Sequence, residues 1–187
     1  MRVRAVVLFT CAGLGLNAQE QSTFSDVSRG FEMPAHRSLM ALMATQGTEL
    51  APFETDGCSG GMSWSWRVVA DVFPDFEVLQ GAHPPWEACC VTHDRAYHDA
   101  GGGVTGAAES YAARLAADNA LKHCVADPSA IEIDRVASLY DVPRERAVFA
   151  YNLIAEAMFN AVRFGGGPCS GLPWRWGYGY PGCVPGF

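Results

Sequence analysis

The stretch from Glu87 to Gly103, E-A-C-C-V-T-H-D-R-A-Y-H-D-A-G-G-G, restricts the fold more than any other part of the chain. Pro84 and Pro85 can open a helix here, because a fixed φ and a missing N–H are tolerated in a first turn, and the three glycines close it. Within that helix Cys90, His93, Asp94 and Tyr97 recur at i, i+3, i+4 and i+7, which puts all four on one face. An imidazole next to a carboxylate, flanked by paired cysteines, is a poor way to build an apolar stripe. The stretch therefore reads as a candidate site, with His98 and Asp99 on other faces and outside it.

Met1 to Ala18 carries Arg2 and Arg4, an apolar run from Ala5 to Leu16, and then Asn17-Ala18. These are the charged, apolar and small-residue parts of a secretory signal peptide. The apolar run is too short to span a bilayer, which takes about 20 residues. The mature chain, 19–187, is then expected to be a single domain, secreted or periplasmic, with no transmembrane segment, and monomeric. Loss of Arg2 and Arg4 takes the formal charge from −7 to −9. That excess of acid argues against nucleic acid as a partner and weakens attraction to anionic membranes. Cys11 leaves with the leader, so Cys58, Cys89, Cys90, Cys124, Cys169 and Cys183 remain in an oxidising compartment. Three disulfides are the expectation, although the spacing alone does not choose among the possible pairings. A Cys-based metal or redox site has little support, since no C-x-x-C occurs.

Along the chain, Gln19 to Gly30 is polar without helical periodicity and reads as a poorly ordered start. Pro34 to Thr45 places Leu39, Met40, Leu42 and Met43 at helical spacing ahead of Gly47, giving a short amphipathic helix suited to core packing. Phe53 to Ser63 holds three glycines, which allow turns that gather carbonyl oxygens. With Asp56 and the carbonyls near Gly57 and Ser59, such a loop offers hard oxygen donors of the kind calcium takes. Trp64 to His83 alternates Trp64, Trp66 and Val68 but is broken by Pro74 and Gly81, so a hairpin or an irregular loop is expected.

Gly106 to Cys124 reads as a second long helix, capped by Thr105, with Tyr111, Leu115, Asp118 and Leu121 on one side. Asp118 on that stripe needs a partner, because a lone buried carboxylate is strongly unfavourable, and His93 is the natural one. Ser129-x-x-Glu132 is a capping box that opens a short helix to Tyr140. Arg144 to Phe164 is apolar almost all round except for Asn152, Glu156, Asn160 and Arg163, and reads as a buried third long helix. Gly165 to Phe187 sets Cys169 and Cys183 around Trp174, Trp176, Tyr178 and Tyr180, a stapled aromatic loop expected to pack over the core rather than to sit at a lipid interface.

Taken together, D-G-C-S at 56–59, C-C-x-x-H-D at 89–94 with Tyr97, and an Asp six residues before Cys124 resemble the secreted phospholipase A2 family. The resemblance covers about Asp56 to Cys124, within a motif core of 53–127. It implies a mainly α fold built on two disulfide-linked antiparallel core helices with additional helices and irregular loops. It also implies His93 as catalytic base, Asp118 as the residue that orients it, Tyr97 as support for Asp118, and Asp94 as the calcium carboxylate. Cys58 would pair with Cys90, and Cys89 with Cys124. The animal enzymes carry a further disulfide at positions corresponding to Ala96 and Ala117, and both partners are absent here. A bacterial and fungal branch has an Asp-Gly-Cys loop like Asp56-Gly57-Cys58, in which that Asp binds calcium through its side chain.

The activity so implied is calcium-dependent hydrolysis of the sn-2 ester of glycerophospholipids, with a phospholipid or a membrane surface as the peripheral partner. Such chemistry needs an activated water, which a positioned imidazole supplies, and a Lewis acid at the carbonyl. Other hydrolase classes fit less well. No G-x-S-x-G is present for a nucleophile elbow, and H-D-x-x-x-H lacks the spacing that puts two imidazoles on one face for zinc. The rival from outside catalysis is a disulfide-stapled, calcium-dependent binding module.

Overall fold

The computed structural model describes residues 17–58 and 62–183. Every regular element among them is a helix: α1 Asn17–Met43, α2 Met62–Val72, α3 Pro74–Gln80, α4 Glu87–His98, α5 Ala107–Ala126, α6 Ala130–Leu139 and α7 Arg144–Gly165. The described residues through Phe31 form one unit and those from Glu32 onward another, and the packing and pockets described below belong to the second. The expected leader lies outside the described residues except for Asn17 and Ala18, which begin α1. Among the described residues no helix is long and apolar enough to cross a membrane.

The expected helices at α4, α5, α6 and α7 occur within a few residues of their anticipated ends. Ser129 caps α6 by accepting a hydrogen bond from the Glu132 N–H at 3.1 Å. Four expectations are corrected. Gln19 to Gly30 is not irregular but part of α1, where Ala18 to Gln21 are tolerant helix formers and Pro34 sits inside the helix rather than starting it. Trp64 to His83 is neither hairpin nor loop: Pro74 begins α3 instead of breaking an element, as its fixed φ allows in a first turn. Thr105 does not cap α5. Gly106 takes that place, and Thr105 donates from both its N–H and its hydroxyl to Glu109, at 2.9 Å each. The third long helix is not buried all round. α7 buries a narrow face of Ala147, Tyr151, Ala155 and Met158, while Phe149, Leu153 and Phe164 face outward.

α5 lies between α4 and α7 and packs on both. Cys89 at the start of α4 is bonded to Cys124 near the end of α5, while Gly101, just past α4, lies against Ala113, so the two helices run antiparallel. A Cβ at Gly101 would come within 2.9 Å of the Ala113 methyl and 3.2 Å of the Trp176 ring, and its φ of +85° is a second reason for glycine there. Cys58 bonds Cys90, tying the segment before α2 to α4, and Cys169 bonds Cys183. Ala96 and Ala117 line one small cavity of about 110 Å³ between α4 and α5.

The core has three parts. Leu39, Tyr97, Ala100 and Trp176 form one, with Met40, Leu42 and Met43 packed against it, so the apolar face of α1 is used for packing. Leu121, Val125, Ala155 and Met158 gather around Cys58 and Cys90 in the second. Ile133, Ala147 and Tyr151 join α6 to α7 in the third. The loop after α7 follows the packing expectation: the Trp176 indole is fully buried, meets Tyr97 edge to face at 5.0 Å, and donates to Ser110 Oγ at 2.9 Å.

Candidate functional site

α4 presents His93, Asp94 and Tyr97 inward, and α5 presents Asp118 to meet them. The one-face spacing within α4 and the antiparallel register fixed by Cys89–Cys124 are what bring residues 25 positions apart into contact. His93 Nε2 lies 2.9 Å from Asp118 Oδ1. The Tyr97 hydroxyl donates to the same oxygen at 2.6 Å, and Arg163 Nη1 donates to Asp118 Oδ2 at 2.9 Å. Asp118 has no exposed surface, so its charge is held by these three donors, as a buried carboxylate requires. The contact with Asp118 fixes Nε2 as the protonated nitrogen and leaves Nδ1 as the acceptor. Nδ1 faces Asp94 Oδ1 at 3.9 Å.

Burial alone would push the His93 imidazole down, but the hydrogen bond to Asp118 and the neighbouring Asp94 outweigh it and raise its pKa above 6.5. Burial would likewise raise Asp118; the His93 hydrogen bond, the Arg114 charge, and the Tyr97 and Arg163 hydrogen bonds together hold it below 3.8. Tyr97 is pushed well above 10, first by burial and then by the adjacent carboxylate, so it stays a neutral donor.

A buried ionic cluster stands behind the dyad. Arg114 is fully buried on α5 and donates from Nε to the Tyr97 hydroxyl at 3.2 Å, from Nη2 to the carbonyls of Val162 and Arg163 at 2.7 and 2.9 Å, and from Nη1 to Glu32. Arg163 bridges Asp118 and Glu32. Burial would raise Glu32, yet His36, Arg114 and Arg163 bring it down to about 2. Gly166 leaves room for this arrangement, since a Cβ there would come within 2.7 Å of the Tyr97 ring. Sequence reading placed Arg163 only on a polar stripe of α7 and did not single out Glu32 or Arg114. The available signal was Arg114 at i−4 from Asp118, on the same face of the second long helix.

On the open side, His93 and Asp94 line a cavity of about 660 Å³ whose other walls include Trp86, Leu121, Ile154, Met158, Val162 and Trp174. A second pocket, of about 330 Å³, is lined by Glu54, Thr55, Asp56, Asp94, Trp174 and Tyr178. Thr55 Oγ1 donates to Asp94 Oδ2 at 2.5 Å and accepts from the Gly57 N–H at 3.1 Å, which holds the Asp56–Gly57 turn beside Asp94. Gly57 has φ +86°, and a Cβ would strike Ser63 Oγ at 2.6 Å, so only glycine fits this turn. Ser59 lies outside the described residues. Among the described residues no cluster of three or more His, Cys, Asp or Glu side chains is arranged to hold a metal. The carboxylates and hydroxyls of the smaller pocket are hard oxygen donors of the kind calcium takes. His98 is buried against Phe53 and Tyr178 and does not line either pocket, in keeping with its place off the site face.

The raised His93 and the lowered Asp118 and Glu32 act on stability in opposite directions. The His93 contribution is complete below pH 6.5 and is lost as pH rises through its higher folded value; those of Asp118 and Glu32 are complete above their ordinary 3.8 and 4.5 and are lost as pH falls through their lower folded values, about 2 for Glu32. By NMR the His93 ring should titrate above 6.5, and stability should decline from pH 4.5 downward, less steeply in Glu32→Gln. An imidazole titrating below 6.5 contradicts this balance of forces.

No family model, curated protein or solved structure matches the chain.

Proposed function

We propose that this chain is a calcium-dependent phospholipase A2-like ester hydrolase, which releases a fatty acid and a lysophospholipid from a glycerophospholipid. The observation that carries the reading is the His93–Asp118 pair at 2.9 Å, with Nδ1 of the ring turned to Asp94 at the wall of an apolar cavity large enough for an acyl chain. Water held between Nδ1 and the substrate carbonyl would give up its proton to His93 as it attacks, and His93 would then return that proton to the leaving alkoxide. Asp118 keeps the ring in the tautomer that leaves Nδ1 as acceptor and stabilises the imidazolium that forms. Tyr97 and Arg163 keep Asp118 ionised and fixed, so it does not take the proton itself. The apolar walls exclude competing water from the ester. Asp94, Asp56 and backbone carbonyls near Gly57 would hold calcium, which when bound supplies Lewis-acid polarisation of the carbonyl.

A lipid surface fits the outside of the cavity. On α2, Trp64, Val68 and Val72 are exposed at i, i+4 and i+8 beside the cavity-lining Ser65. On α7, Phe149, Leu153 and Phe164 are exposed on the side that continues into Ala157 and Ala161 of the cavity wall. Phe164 is 97 % exposed, a position in which a phenyl ring gains by entering an interface. Exchanging Trp64 and Phe164 together for Glu should weaken partition onto phosphatidylcholine vesicles by roughly tenfold or more while sparing hydrolysis of a monomeric short-chain substrate. Equal loss on both substrates contradicts an interfacial role.

The function is tested with phosphatidylcholine vesicles of mixed chain length, in calcium and in EGTA, by identifying the released chain. The sn-2 fatty acid and the matching lysophospholipid are expected in calcium alone. Release of the sn-1 chain or of the headgroup would contradict the assignment. Absence of any release, with calcium still raising thermal stability, would make the chain a binding module instead. In EGTA the oxidised protein should remain folded, because three disulfides, worth about 2–4 kcal/mol each, do not depend on the metal.

A further inference from the structure

The two pockets beside the candidate dyad share two wall residues, Asp94 and Trp174. Asp94 has a proposed role; Trp174 lies in the loop after α7, beyond the motifs that point to any family. Its position is closely determined. Two residues on, the Trp176 N–H donates to the Gly166 carbonyl at 2.8 Å and its indole is buried, and the Gly177 N–H donates to the Tyr97 carbonyl at 2.6 Å. The Trp174 ring itself lies on Gly165, the last residue of α7, where any Cβ would collide with its six-membered ring. The loop is further closed by Cys169–Cys183 and by Arg175, which donates to the carbonyl of Tyr180 at 3.0 Å. So the indole is a half-buried partition, apolar cavity on one side and carboxylate-lined pocket on the other.

We propose that Trp174 is the specificity-determining wall of the site. It sorts an amphiphilic substrate, with an acyl chain in the larger cavity and the phosphate-bearing headgroup at the acidic pocket, where the calcium proposed above would offset the carboxylates of Glu54, Asp56 and Asp94, and so brings the ester between them to His93 and Asp94. This rests on the functional reading above and narrows it: the substrate carries its scissile ester between a chain and a glycerol-linked anionic headgroup, and a ligand that fills only one pocket gains little from Trp174.

The test is calorimetric titration, in calcium, with two probes: a short dialkyl ether analogue of phosphatidylcholine below its micelle concentration, and decanoate. The ether analogue spans both pockets and cannot be hydrolysed; decanoate fills the apolar cavity. Trp174→Ala should weaken the ether analogue by roughly tenfold, as expected when contacts worth about two methylene groups are withdrawn, and decanoate by less than about threefold. Trp174→Phe should restore most of the difference. Gly165→Ala, which leaves Trp174 in the sequence but denies it its seat, should behave as Trp174→Ala does. Equal weakening of both probes would reduce Trp174 to ordinary lining and overturn the proposal, as would unchanged binding in both the Trp174→Ala and the Gly165→Ala variants or failure of the wild type to bind the analogue. Selective loss of the ether analogue in a protein that never hydrolyses phosphatidylcholine would uphold the proposal and refute the enzymatic reading.

Discussion

Replacing His93 with Gln should lower calcium-dependent fatty acid release by about 10² to 10⁴, the range carried by a positioned general base. The amide keeps nearly the volume of the ring and can still donate to Asp118, so the hydrogen-bonded carboxylate is not left bare, but no atom remains to accept a proton at the Nδ1 position. Thermal stability should fall by less than about 2 kcal/mol, because the buried charge keeps Tyr97 and Arg163 as donors. Calcium binding should persist, since Asp94 and Thr55 are untouched. Rates measured on monomeric substrate, beside a melting curve, separate these effects. Retention of a tenth or more of wild-type activity contradicts a role for His93 as base.

The largest effect on folding is expected at Arg114. Its fully buried guanidinium serves Glu32, the Tyr97 hydroxyl and two carbonyls at the end of α7, and thereby links α1, α4, α5 and α7. Arg114→Met keeps much of the stem but strands one face of Glu32 and takes a donor from the Arg163 carbonyl, while the Val162 carbonyl still accepts from the Gly166 N–H. Removing one partner of a buried ion pair costs about 3–5 kcal/mol. For a unit of this size that corresponds to a fall in Tm of roughly 10 °C with the disulfides intact. Activity should fall as well, because the Tyr97–Asp118 contact relies on the same support. A loss under about 1 kcal/mol would mean that Arg163 and His36 hold Glu32 without it.

Much of this site was readable in the chain because its key contacts are local or register-fixed. Helical spacing put His93, Asp94 and Tyr97 on one face, and an acid at 118 on an apolar stripe demanded a partner. Two of the misread elements, α2 and α7, share one physical cause: each carries large apolar residues on an exposed face. α2 turns Ser63 and Ala70 inward and Trp64, Val68 and Val72 outward, so its apolar residues do not mark its buried face. α7 does the same with Phe149, Leu153 and Phe164, and its composition therefore imitates a helix buried all round. The Glu32–Arg114–Arg163 cluster was invisible for another reason: its members are 82 and 131 positions apart, and no local pattern encodes a contact between them.

The proposal that matters most is that His93, acting on the water, and Asp94, through the cation it would hold at the carbonyl, serve a single step. A double-mutant cycle on kcat/KM with His93→Gln and Asp94→Asn tests it directly. Groups that serve one step as a unit are strongly non-additive, so the double variant should be no slower than the worse single variant by more than about threefold. Losses that multiply would place the two side chains in separate steps and contradict the account.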